Sequence, residues 1–159
     1  MRLFTLAVGL VAALAAGPPA YAYDFAVNAG AVEVVTIPER QHVGFYPYLG
    51  VSLVFPFSKL ALIPSLSVEA APDIAHWGFV WSLVADFPVH PRLGLDADVT
   101  LIHDQSGSDI HHAEFFLGAG VGFSIFLGRW TISPYCNLFR DLSVDGWAIV
   151  PGLNLAATR

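Results

Sequence analysis

The chain has 159 residues, enough for one domain, and it is 55% hydrophobic with only 13% charged residues. Its formal charge of −6 excludes the basic surface that nucleic-acid binding requires. Cys136 is the single cysteine, so an internal disulfide is excluded too.

The first element is a leader. Arg2 gives a short positive region, Leu3 to Ala16 forms an uncharged, largely apolar run, and Ala20-Tyr21-Ala22 offers small residues where a signal peptidase cuts. The run is shorter than the ~20 residues that a spanning helix needs. Residues 1–22 therefore read as a secretory signal peptide, cleaved after Ala22, with residues 23–159 as the mature domain. No cysteine follows the cut, so no lipid attachment is expected there. Losing Arg2 leaves six Lys and Arg against thirteen Asp and Glu, a formal charge of −7.

The mature chain contains no further apolar run of spanning length, yet it stays strongly apolar. Its surplus is distributed with period two. Strand side chains alternate between faces, so such a pattern implies strands between two different surroundings. A weak first strand runs near Asp24 to Val35, with Phe25, Val27, Ala29 and Ala31 on one face. The second carries Phe45, Pro47, Leu49, Val51, Leu53, Phe55 and Phe57 against Tyr46, Tyr48, Gly50, Ser52, Val54 and Pro56. The third sets Leu60, Leu62, Pro64, Leu66 and Val68 against Ser65, Ser67 and Glu69. The fourth sets Trp77, Phe79, Trp81, Leu83, Ala85 and Phe87 against Gly78, Val80, Ser82, Val84 and Asp86. The fifth opposes Leu93, Leu95, Ala97, Val99 and Leu101 to Arg92, Gly94, Asp96, Asp98 and Thr100. The sixth opposes Phe115, Leu117, Ala119, Val121, Phe123 and Ile125 to Glu114, Phe116, Gly118, Gly120, Gly122 and Ser124. The seventh opposes Trp130, Ile132, Pro134, Cys136 and Leu138 to Arg129, Thr131, Ser133, Tyr135 and Asn137. The eighth opposes Trp147, Ile149, Pro151, Leu153 and Leu155 to Ala148, Val150, Gly152 and Asn154.

The connections alternate in length. Short turns are expected at Ser58-Lys59, near His90-Pro91 and at Gly128-Arg129, and longer polar loops at TIPERQHVG, APDIAH, HDQSGSDIHH and FRDLSVDG. Residues paired across a hairpin share a face. Turns at Ser58-Lys59 and Gly128-Arg129 keep apolar with apolar, pairing Phe57 with Leu60 and Leu127 with Trp130. A two-residue loop at His90-Pro91 would set Asp86 against an apolar-face residue, so a three-residue turn or a bulge is expected there. Eight alternating strands, short turns at one end and long loops at the other predict an all-β, antiparallel, up-and-down transmembrane β-barrel.

A soluble lipocalin-like barrel would exchange the two faces. Its exterior would then be rich in Lys and Glu, whereas Lys59 is the only lysine. Phe25, Phe57, Phe87 and Trp130 near the turns, and Phe45, Trp77, Phe115 and Trp147 near the loops, form two aromatic girdles as a lipid-facing surface does. A carboxylate on that surface would cost on the order of 2 kcal/mol near the midplane. Glu69, Asp86, Arg92, Asp96, Asp98, Glu114, Arg129 and Tyr135 are thus expected inside, as a polar network plugging the bore. Lys59, Arg92 and Arg129 also fall at or beside the short turns, where positive charge can meet phospholipid headgroups.

The leader, the alternating strands and the Gly-rich stretch FFLGAGVGFSIF resemble the small eight-stranded outer-membrane barrels of Gram-negative bacteria over the whole mature chain. The resemblance implies export, insertion by the barrel-assembly machinery into the outer membrane, membrane lipids as neighbours, and a monomer. Such barrels usually end on an aromatic residue; this chain ends Asn154-Leu155-Ala156-Ala157-Thr158-Arg159. Some relatives of this kind deacylate lipid A with a His and Ser on a late strand. The matching stretch here is Ser133-Pro134-Tyr135-Cys136-Asn137, and no His follows His112. Cys136 has outward parity and reads as an apolar filler. A different enzyme would have to use His103, His111 or His112 with Glu114 or Asp104. His103 with His111 or His112 is also the weak candidate for a metal site. No cofactor is expected. The expectation is a non-enzymatic, porin-like envelope barrel with a structural or surface-interaction role. The alternatives are a lipid-modifying enzyme and a narrow channel or small-ligand binder.

Overall fold

The computed structural model describes residues 24–37, 42–71, 76–106, 113–142 and 146–158. The leader, His111 and His112 lie outside the described residues. Eight antiparallel strands close in sequence order into one barrel. They are β1 (Asp24–Ile37), β2 (His42–Pro56), β3 (Ala61–Ala71), β4 (His76–His90), β5 (Leu93–Ser106), β6 (Ala113–Leu127), β7 (Trp130–Asp141) and β8 (Trp147–Thr158). Closure comes from β8 pairing with β1, from Ala26 opposite Thr158 to Ile37 opposite Trp147.

The alternation decides which residues face out. Leu49 is 63% exposed and Val121 67%, while Ser52 and Asn137, of the opposite parity, are 6% and 3% exposed. Outward exposure is therefore apolar and inward burial is largely polar, the reverse of a soluble domain. The girdle residues Phe25, Phe57, Phe87, Trp77, Phe115, Trp130 and Trp147 are all exposed on the outer surface. Glu33 is also exposed on that surface, opposite Phe45 toward the loop end. A carboxylate there sits near the rim of the apolar band, where its cost is smallest.

The turns follow the parity argument. The Phe57 N–H donates to the Leu60 carbonyl at 2.8 Å, closing Ser58-Lys59. Leu127 pairs with Trp130, and Gly128 has φ +68° at the first central position. That left-handed value is the one primed hairpin turns require and glycine adopts freely. At the remaining turn Pro88 pairs with Gly94 but His90 with Leu93, so Val89 is the extra residue of a bulge. The bulge brings Asp86 opposite Asp96 and restores polar-to-polar pairing.

Two expectations need correction. The strands run further toward the loop end than the alternation suggested. β5 continues through His103 and Asp104 to Ser106, and β2 begins at His42. The backbone ladder persists where the hydrophobic pattern fades, so less chain is left for loops. The interior is also not polar throughout. Val32, Tyr46, Phe139, Ala148 and Val150 form a buried apolar cluster, with Val34, Ile102 and Phe116 packed against it. These residues lie in the halves of their strands nearer the loops. Ser, Asn and Asp side chains occupy the half nearer the turns.

Candidate functional site: the barrel interior

The interior is assembled row by row across the strands. Ser52, Ser65, Ser82 and Thr100 face one another in register on β2 to β5. Ser65 and Ser82 hydrogen-bond through their hydroxyls. One row toward the turns, Asp98 and Asn137 flank Gly120. The Asn137 amide donates to Asp98 Oδ2 at 2.7 Å, and the Thr100 hydroxyl donates to the same oxygen at 2.7 Å. This bridge spans β6, and only a residue without a side chain leaves room for it. A Cβ at Gly120 would stand 2.0 Å from Asn137 Oδ1 and 2.8 Å from Asp98 Oδ1.

Tyr135 lies over Gly152, and Tyr48 over Gly30. The Tyr135 hydroxyl donates to the Tyr48 hydroxyl at 3.3 Å, and Tyr48 donates to Asn154 Oδ1 at 3.2 Å. Nearer the turns, the Ser124 hydroxyl donates to Asp96 Oδ2 at 2.7 Å and meets the Ser133 hydroxyl at 2.9 Å. Asp86 is 6% exposed, directly opposite Asp96, with Oδ1 lying over Gly94. At the loop end, Glu69 and Asp104 are both buried on either side of Gly78.

The expected interior residues thus separate. Glu69, Asp86, Asp96, Asp98 and Tyr135 point into the barrel. The β6 backbone carries Glu114 opposite Asp104, but its side chain lies outside the description. Arg92 and Arg129 are not inside. Both are exposed turn residues, with the Arg129 guanidinium 5.6 Å from the Trp130 ring. Strand parity does not apply past the last ladder residue, which is where the extrapolation failed. Sequence reasoning missed the partners Asn137, Thr100, Ser124, Tyr48 and Asn154. The signal available was their shared inward parity beside the aspartates. Among the described side chains, no Lys or Arg faces the interior, so hydroxyls and amides solvate its carboxylates.

His103 faces outward. It stacks 4.7 Å from Phe115 and 6.4 Å from Trp81, within an aromatic stripe that continues through Phe79 to Trp77. Its ring is occupied with packing on the outer surface. Among the described residues, no group of three His, Cys, Asp or Glu is placed to hold a metal ion. Cys136 is exposed on the outer surface. Ser133 meets Ser124 and has no His beside it among the described residues, so no activated nucleophile is formed there.

No protein-family model matches the sequence, and no curated protein matches it. Solved structures do match. Neisserial surface protein A superposes with a TM-score of 0.56 at 10% identity, over 85% of this chain and 96% of that one. Ail, the attachment invasion locus protein of Yersinia pestis, in complex with the heparin analogue sucrose octasulfate, gives 0.52 at 12% identity, over 86% and 97%. The N-terminal β-barrel domain of Pseudomonas aeruginosa OprF gives 0.51 at 12% identity, over 82% and 96%. At such identities the likeness is one of fold. The chain has the fold of the small eight-stranded outer-membrane β-barrels.

Proposed function

We propose that this chain is exported and inserted into the outer membrane as a non-enzymatic barrel, with its short turns toward the periplasm and its other four connections at the cell surface. The observation that carries this reading is the continuous apolar outer surface, bounded by aromatic girdles, around a polar interior. A soluble chain would have to hide that surface, whereas a bilayer covers it. The role follows from what the barrel offers: a rigid frame holding surface connections, in an envelope-structural or surface-interaction capacity. Two neighbours are named for surface exposure and attachment, which agrees in kind.

The bore acts as a plug in this proposal. Eight strands leave room only for side chains, and the Val32–Tyr46–Phe139 cluster at the loop end gives a permeating ion no polar partners. The test begins with refolding into lipid vesicles. A β-rich circular dichroism spectrum and a gel-mobility difference between unboiled and boiled samples are expected. A β-rich protein that stays soluble without lipid or detergent would overturn the proposal and make the apolar surface a cavity lining. Planar-bilayer recordings are expected to show no steady conductance. Mass spectrometry of lipid A with and without the protein is expected to show the same species, and a changed acylation pattern would restore the enzyme reading.

A further inference from the structure

The described residues include four Lys or Arg, and three of them stand at one end of the barrel. Lys59, Arg92 and Arg129 each occupy the second central position of a short turn, and all are exposed. The backbone beneath them is fixed. The Arg92 carbonyl accepts the Phe126 N–H at 3.0 Å, and the Arg129 carbonyl accepts the Thr158 N–H at 2.9 Å. Each of these turns is thereby tied to the neighbouring strand pair. The Arg129 guanidinium lies over the outward-facing Trp130 ring. Among the described residues, the exposed acid at this rim is Asp24 alone.

We infer that this rim binds anionic phospholipids through their headgroup phosphates, with one cation presented per turn. The inference rests on the membrane reading above and adds a lipid class to it. An ammonium-bearing headgroup neutralises its own phosphate. An anionic headgroup leaves that charge for a guanidinium or ammonium at the same depth, worth about a factor of five in binding per basic residue near the surface. Arginine adds directional donors that match phosphate oxygens. Trp130 prefers the same interfacial depth, and its ring keeps the Arg129 charge there rather than in bulk water. The rim is thus a preformed set of point charges at headgroup level.

The experiment is native mass spectrometry of the refolded protein. It would be released from nanodiscs holding equal amounts of phosphatidylglycerol and phosphatidylcholine with identical acyl chains. The wild type is expected to retain phosphatidylglycerol preferentially. R129Q should lower that preference about five-fold, and the K59Q/R92Q/R129Q variant about a hundred-fold. R140Q should leave it unchanged, because Arg140 lies over Trp147 at the opposite end. Rising salt should erode the wild-type preference, as it does for exposed charges. Equal retention of both lipids by the wild type, or an undiminished preference in the triple variant, would overturn the inference. R129Q supplies the same comparison if the triple variant folds poorly. A wild type with no heat-dependent mobility shift in either lipid would instead defeat the membrane reading itself.

Discussion

Gly120→Ala isolates the packing of the interior. The new methyl would be placed 2.0 Å from Asn137 Oδ1, 2.4 Å from Asn137 Cγ and 2.8 Å from Asp98 Oδ1. Asn137 is 3% exposed and has no room to retreat without leaving Asp98. The substitution therefore breaks the 2.7 Å bond from the Asn137 amide to Asp98. A hydrogen bond to a carboxylate is worth about 1.5–3 kcal/mol. Overpacking adds about 1–3 kcal/mol. A combined loss of about 3–5 kcal/mol is expected, because the two costs share one displacement and do not add fully. The assay is urea unfolding in lipid vesicles, followed by tryptophan fluorescence and by the fraction of heat-shifted protein on a gel. Asn137→Ala should itself cost about 2 kcal/mol, and adding Gly120→Ala to it should cost much less than in the wild type, since the clashing amide is gone. A Gly120→Ala protein within about 0.5 kcal/mol of wild type would refute the reasoning.

Other consequences can be checked with the same preparation. Asp86→Asn removes one of two opposed carboxyls in an interior without a described cation, and a stabilisation of about 1 kcal/mol is expected in the unfolding assay. Tyr48→Phe removes the donor to Asn154 and the acceptor for Tyr135, and a loss of about 1–2 kcal/mol should follow in the same measurement. Gly128→Val forces a branched side chain to φ +68°, so the midpoint in urea should fall by an amount equivalent to about 1–2 kcal/mol while the gel shift is retained. Cys136 in the bilayer should react with a lipid-soluble maleimide and resist a membrane-impermeant one, read by mass spectrometry. Equal labelling by both would place that face in water.

Much of this architecture was legible because a bilayer-type barrel asks two opposite things of adjacent residues. Leu93 to Leu101 could be sorted by parity without any knowledge of contacts, and the awkward position of Asp86 announced a bulge. What could not be read were features set by three dimensions. Arg92 and Arg129 share the parity of interior residues in the linear pattern, but the ladder ends before each of them and the turn swings them outward. The apolar cluster was hidden because Tyr46, Phe139 and Val150 come from strands far apart in sequence and become neighbours only through closure and stagger. The Asp98–Asn137 bridge needed Gly120 between its ends, and a glycine in a Gly-rich strand does not reveal which side chains will lie across it.

The up-and-down order has a consequence for how such a chain can diversify. Every strand pairs with its immediate neighbours in sequence, apart from the single closure of β8 onto β1. The four connections on the side away from the short turns join strands that are already hydrogen-bonded along their length, so they carry almost none of the information that sets register. Residues 107–112 could be replaced by a foreign sequence of another length without altering one ladder bond between β5 and β6. Selection can thus rewrite the connections at a different rate from the staves, and a barrel of this kind can change what it touches while keeping how it folds.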